Sequence, residues 1–190
     1  MKTVYLDIKT KQLPFGNIPM RDIKLAVAGT LFEGHFKTYE EKDVDLLVSD
    51  LKQYDRIVGH NVFSFGYAIL GNYFQYPEVA LGAKYSGLRG KTFDTMMAFA
   101  DIVGSGVRSG NLMALDNMCS HSFGMTKPFE GKLIPQMWKD GKHDEVKAYL
   151  LNDLRMTEKF YLAGCQGTKI KYDHKIYGKS QGEREIYLKW

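Results

Sequence analysis

Short apolar runs come first in this chain and helical stripes later. Val4-Tyr5-Leu6-Asp7-Ile8 is a mostly apolar run ending in polar residues and predicts a strand. Ile23 to Thr30 and Gly34 to Tyr39 predict two more strands with a tight connection, so an antiparallel meander is expected. Leu13 to Met20, with two prolines and a glycine, is expected to be a loop or turn. From Asp43 to Tyr54 the apolar residues Val44, Leu47, Val48 and Leu51 recur at helical spacing. Arg56-Ile57-Val58-Gly59-His60 follows as a short buried strand. Helices are expected over Phe63–Phe74, Asp94–Val103 and Asn111–Ser122, with a short one at Pro135–Lys139. Asp144 to Ala163 carries the longest stripe, with Val146, Leu150, Leu154 and Phe160-Tyr161 on one face. Two strand-like runs flank Ser180-Gln181-Gly182 and predict a C-terminal β-hairpin. Strands, then helix–strand–helix, then mostly helices give a mixed α/β fold around one central sheet.

Composition narrows the picture. The 190 residues suit a single domain, with 1–164 as core and 165–190 as a basic hairpin. Apolar residues at 44% and charged ones at 25% exclude a disordered or collagen-like chain. No apolar run reaches the roughly 20 residues of a membrane span, and MKTVYLDIKTKQ lacks the apolar stretch of a signal peptide. Cys119 and Cys165 belong to no CxxC pair, so two buried thiols in a reducing, cytoplasmic setting are expected. The net charge of +4 is compatible with a nucleic-acid partner. Residues 165–190 hold six basic and three acidic residues, so that end alone contributes +3.

Three segments carry the candidate chemistry. Asp7 ends a buried run, and Lys9, two residues on, faces the same side of the strand. Val58-Gly59-His60-Asn61-Val62-Phe63-Ser64-Phe65-Gly66 leads from a strand into a helix. Tyr149 and Asp153, four apart on the long helix, share one face. Their order and spacing resemble the DEDD superfamily of 3′–5′ exonucleases (DnaQ-like, RNase H-like), in the subclass with a tyrosine in the third motif. Within it, the chain is similar to exonucleases related to the proofreading domain of family B DNA polymerases. The likeness runs from about Met1 to Ala163 and includes Leu115-Asp116-Asn117-Met118 and Phe123-Gly124.

The resemblance implies an RNase H-like mixed five-stranded sheet flanked by helices. It also implies a site in which four carboxylates hold two Mg2+ or Mn2+ ions about 3.5–4 Å apart. Asp7, Tyr149 and Asp153 take the catalytic positions, with Asp7 and Asp153 as metal ligands. Two positions depart from the pattern: Lys9 stands where the family has glutamate, and Gly66 where it has aspartate. An ammonium in place of a carboxylate changes the local charge by two units, and at ~4 Å and an effective dielectric of ~20 each unit pair is worth about 4 kcal/mol. Metal-dependent catalysis is therefore expected to be impaired and metal binding weak. Lys9 is expected to pair with Asp7 or Asp153 in the metal's stead, or to meet a phosphate.

Three functions follow: a single-stranded DNA- or RNA-binding relative of the exonucleases, an active exonuclease using a substitute carboxylate, or a protein-interaction module. Asn61 is a helix cap or a nucleic-acid contact, and Phe65 a core residue or a stacking surface. Asp94 is expected to cap a helix and Asp101 to lie on the surface. The spacing of His60, His121 and His143 matches no ligand pattern. Gly104 to Gly110, a GxGxxxG run containing Arg108, follows a helix and is expected to be a loop. The tail tyrosines Tyr172, Tyr177 and Tyr187 are expected on a hairpin with one solvated face.

Overall fold

The protein is described by a computed structural model covering all residues except 14–17, 84–85, 105–112 and 177–178. The expected loops at Leu13–Met20 and Gly104–Gly110, with Arg108, and the tail's Tyr177 fall largely or wholly outside the described residues.

Five strands form the central sheet: β1 (Thr3–Thr10), β2 (Leu25–Phe32), β3 (His35–Glu40), β4 (Arg56–Gly59) and β5 (Thr92–Asp94). Their order is β3-β2-β1-β4-β5. The meander β1–β2–β3 is antiparallel, while β1–β4 and β4–β5 are parallel. β5 has three residues, too short for an alternation pattern, and only its parallel pairing with β4 defines it.

Side chains of β1 alternate between two layers. Val4, Leu6 and Ile8 pack against α1 (Val44–Leu51) and α2 (Tyr67–Gly71) on one face. Tyr5 joins Val27, Val58, Leu150 and Leu154 beneath the long helix on the other. That helix, α8, runs His143–Cys165. It comes close because β2 has no side chain at Gly29: a Cβ there would meet Leu150 Cδ2 at 2.8 Å and Leu154 Cδ1 at 3.0 Å. Gly29 is also the register partner of Asp7, so this bare position brings α8 down beside the acid of β1.

The remaining helices are α3 (Pro77–Leu81), α4 (Gly87–Gly90), α5 (Thr95–Val103), α6 (Leu115–Phe123) and α7 (Ile134–Lys139). The helix expected over Phe63–Phe74 is shorter and irregular. Asn61 has a left-handed backbone (φ 59°), Val62–Gly66 form a π turn, and regular helix covers Tyr67–Gly71. Val62, Phe63 and Phe65 stay apolar through the wide turn, so a period count runs on across the break.

The hairpin pairs β6 (Lys169–Ile176) with β7 (Lys179–Tyr187). Ser180-Gln181-Gly182, expected at the reversal, instead lies inside β7. The register shifts between Asp173 and Lys175, and Gly182 takes φ 97° opposite the shift. The turn-like residues thus serve a β-bulge, which needs the same left-handed glycine as a tight turn. Ile170, Tyr172 and Leu188 are buried with Phe99, Met118 and Phe160 in a third cluster, while β7 is largely exposed, Tyr187 included. Cys119 is buried, but Cys165, although helical spacing returns it to the face of Leu154 and Tyr161, is exposed as the last residue of α8. No helix among the described residues is long and apolar enough to cross a membrane.

Candidate functional site

The C-terminal half of β1, the β4–α2 junction and α8 converge on a cleft of about 570 Å3. Asp7, Lys9, Asn61, Phe65, Tyr149 and Asp153 all line it. Residues from three separate sequence segments are thus brought together in one cleft.

Lys9 sits at the centre. Its ammonium lies 2.7 Å from Asp7 Oδ2 and donates a hydrogen bond of 2.5 Å to Asp153 Oδ2. It also lies 4.9 Å from the centroid of the buried Tyr149 ring. Asp7 Oδ1 accepts from the Ile8 N–H at 2.8 Å, while Asp7 Oδ2 meets Lys9 as a charge without a directed hydrogen bond. Burial opposes the charge on Lys9, yet Asp153 and Asp7 hold its pKa well above the ordinary lysine value.

A second ammonium, unforeseen from the sequence motifs, completes the cluster. Lys127 donates to the same Asp153 Oδ2 at 3.1 Å and lies 5.3 Å from the Tyr149 centroid. Its backbone N–H is fixed by Asp116 Oδ1. Lys127 belongs to none of the three motif segments, and only the chain path after α6 carries it into the cleft. Asp153 is 4% exposed, and its Oδ1 is buried without a hydrogen-bond partner. Burial pushes its pKa up, but the two ammoniums outweigh this and hold the carboxyl below its usual range. The Tyr149 hydroxyl is pushed up, first by burial and then by Asp153. Phe129 packs on its ring at 4.7 Å, and Gly131 leaves room for its hydroxyl, which a Cβ would approach to 3.1 Å.

Asn61 does not cap the helix that follows it, and its buried Oδ1 has no partner. Asp94 takes over that work. Its carboxylate accepts from the N–H groups of Asn61 and Phe63 and, as N-cap of α5, from those of Met96 and Met97. A carboxylate reaches two helix starts at once, where a side chain already in a left-handed residue reaches neither. Asp101 is exposed, as expected. Phe65 is half-buried, packing against the core beneath α2 while also lining the cleft. Gly66 lies at the junction between cleft and core: a Cβ there would be 3.1 Å from Val62 Cγ2 and 3.5 Å from Ile8 Cδ1. The histidines go separate ways. His60 is held by Thr95 Oγ1 at 2.9 Å and the Met113 carbonyl at 2.8 Å, His121 contacts Glu183, and His143 stacks on Trp138. Burial holds His60 below its ordinary pKa.

These residues do not fit a pair of divalent ions. The space between the Asp7 and Asp153 carboxylates is filled by the Lys9 ammonium, and Lys127 adds a second positive charge beside it. Among the described residues, no group of three or more His, Cys, Asp or Glu side chains is placed to hold a metal ion. Among the described residues, Asp7 and Asp153 are the acids that line the cleft, while the Asp94 carboxylate stands behind it, engaged by the N–H groups of Asn61 and Phe63.

No family model matches the chain, and no curated protein does. Among solved structures, the family B DNA polymerase from the hyperthermophilic archaeon Pyrobaculum calidifontis is similar, with a TM-score of 0.61 and 19% identity over 88% of this chain. The chain spans 25% of that polymerase's length. At this identity the likeness establishes the fold alone: an RNase H-like α/β fold, as the sheet order and flanking helices also indicate.

Proposed function

We propose that the protein binds the 3′ ends of single-stranded nucleic acid in this cleft and is impaired in hydrolysis. The Lys9 ammonium between Asp7 and Asp153 carries this reading. A two-metal nuclease needs several carboxylates free to coordinate cations. Here both remaining acids are neutralised internally, so Mg2+ or Mn2+ binds weakly. At the third of the four carboxylate positions in chain order, Gly66 supplies no ligand at all. The cleft has features suited to a strand end: apolar walls from Phe65, Met96 and Ile134 for bases, and for phosphates Lys127, paired with Asp153, and Lys132, paired with Glu130.

The test follows a 5′-labelled single-stranded oligonucleotide with Mg2+ and then Mn2+, and separately its binding in EDTA. The expected result is salt-sensitive binding without metal and no shortening. The double variant Lys9→Glu, Gly66→Asp is expected to gain metal-dependent shortening from the 3′ end. Metal-dependent shortening by the unaltered protein, abolished by Asp153→Asn, overturns the proposal.

A further inference from the structure

The two ammoniums of the cleft are not equivalent. Lys9 is enclosed, its side chain 12% exposed, and it faces two carboxylates and the Tyr149 ring. Lys127 is 26% exposed, and among the described residues its one ion pair is with Asp153. Both ammoniums converge on a single oxygen, Asp153 Oδ2, while Asp153 Oδ1 has no hydrogen-bond partner. One carboxylate oxygen receiving two ammoniums is the arrangement a phosphate oxygen would take up between two lysines.

We infer that Asp153 acts as a built-in competitor for phosphate: a phosphodiester entering the cleft displaces it from Lys127, so that Asp153 gates the affinity for nucleic acid. This rests on the reading of the cleft as a nucleic-acid site and specifies the chemistry of its contact. Lys127 is the exchanging cation, because it is more exposed and has one carboxylate to release. Lys9 keeps Asp7 as counter-ion throughout. No bond is made or broken; one charge-assisted contact replaces another. The consequence inverts what a metal-dependent site shows. There, loss of this carboxylate removes a cation and weakens the hold on the phosphate. Here, its loss frees a cation and strengthens that hold.

The test measures anisotropy of a fluorescein-labelled oligothymidylate of about 12 nucleotides, in EDTA over a series of salt concentrations. The unaltered protein, Asp153→Asn and Lys127→Gln are compared, each checked by circular dichroism and thermal melting. Asp153→Asn is expected to bind about threefold tighter or more. Lys127→Gln is expected to bind more weakly, with a slope of log K against log salt shallower by about 0.7. Binding by the unaltered protein that Asp153→Asn leaves equal or weaker overturns the gating and spares the proposed function. Binding by Asp153→Asn but not by the unaltered protein supports the gating and overturns the proposed function. Binding by neither overturns both. If Asp153→Asn does not fold, Lys127→Gln decides, and an unchanged affinity and slope reject the exchange.

Discussion

Replacing Lys9 by methionine isolates the charge at the centre of the cleft. The two side chains are similar in length, and both can lie along Tyr149, so the change is chiefly loss of the ammonium. At the observed 2.5 and 2.7 Å and an effective dielectric of ~20, each contact represents about 6 kcal/mol of gross attraction. Desolvation of the three groups cancels most of it. The loss that remains is that of leaving Asp7 without its ion-pair partner and the buried Asp153 with Lys127 as its remaining one among the described residues. Removing one partner of a buried ion pair costs about 3–5 kcal/mol. For a chain of this length each kcal/mol lowers the melting temperature by about 2–4 °C, so a fall on the order of 10 °C is expected. Urea denaturation followed by circular dichroism gives the free energy directly. Adding Asp153→Asn to Lys9→Met is expected to recover part of the loss, because the second change removes the carboxylate the first left stranded. A Lys9→Met loss below about 0.5 kcal/mol, the range of ordinary surface substitutions, or a double variant no more stable than Lys9→Met alone, refutes the argument that Lys9 is the resident counter-ion.

Three more outcomes follow from the same geometry. Gly29→Val drives a side chain into Leu150 and Leu154 and is expected to cost about 1–3 kcal/mol or more, read as a lower urea midpoint. Asp94→Ala strips a shared acceptor from four N–H groups; a loss above the ~1 kcal/mol of a single cap is expected by denaturation, and a loss below that contradicts the double-cap role. His60 is kept neutral by burial in the folded state, while the unfolded chain takes up its proton as pH falls through about 6.5. Stability should therefore be full above that pH and decline below it, and urea titrations across this range should show the slope reduced in His60→Gln.

Local pattern determined much of this protein. The meander, the helix at Val44–Leu51, the long helix and the hairpin are all legible because apolar residues recur at strand or helix period in runs long enough to count. That Asp7, Asn61, Phe65, Tyr149 and Asp153 share one cleft was expected from the family their motifs resemble, and the structure brings them together. Tertiary structure decided the rest. β5 is three residues long and exists through pairing with β4. Gly182 carries a turn signal that the register spends on a bulge. Asn61 has the side chain of a cap, yet Asp94, 33 residues away, does the capping. Lys127 reaches Asp153 across 26 residues and through no motif. Sequence spacing encodes neighbours along one element, whereas the charge balance of a cleft is set by which elements the packed core brings together. Here that depends on a bare glycine on β2 that lets one helix settle beside one strand.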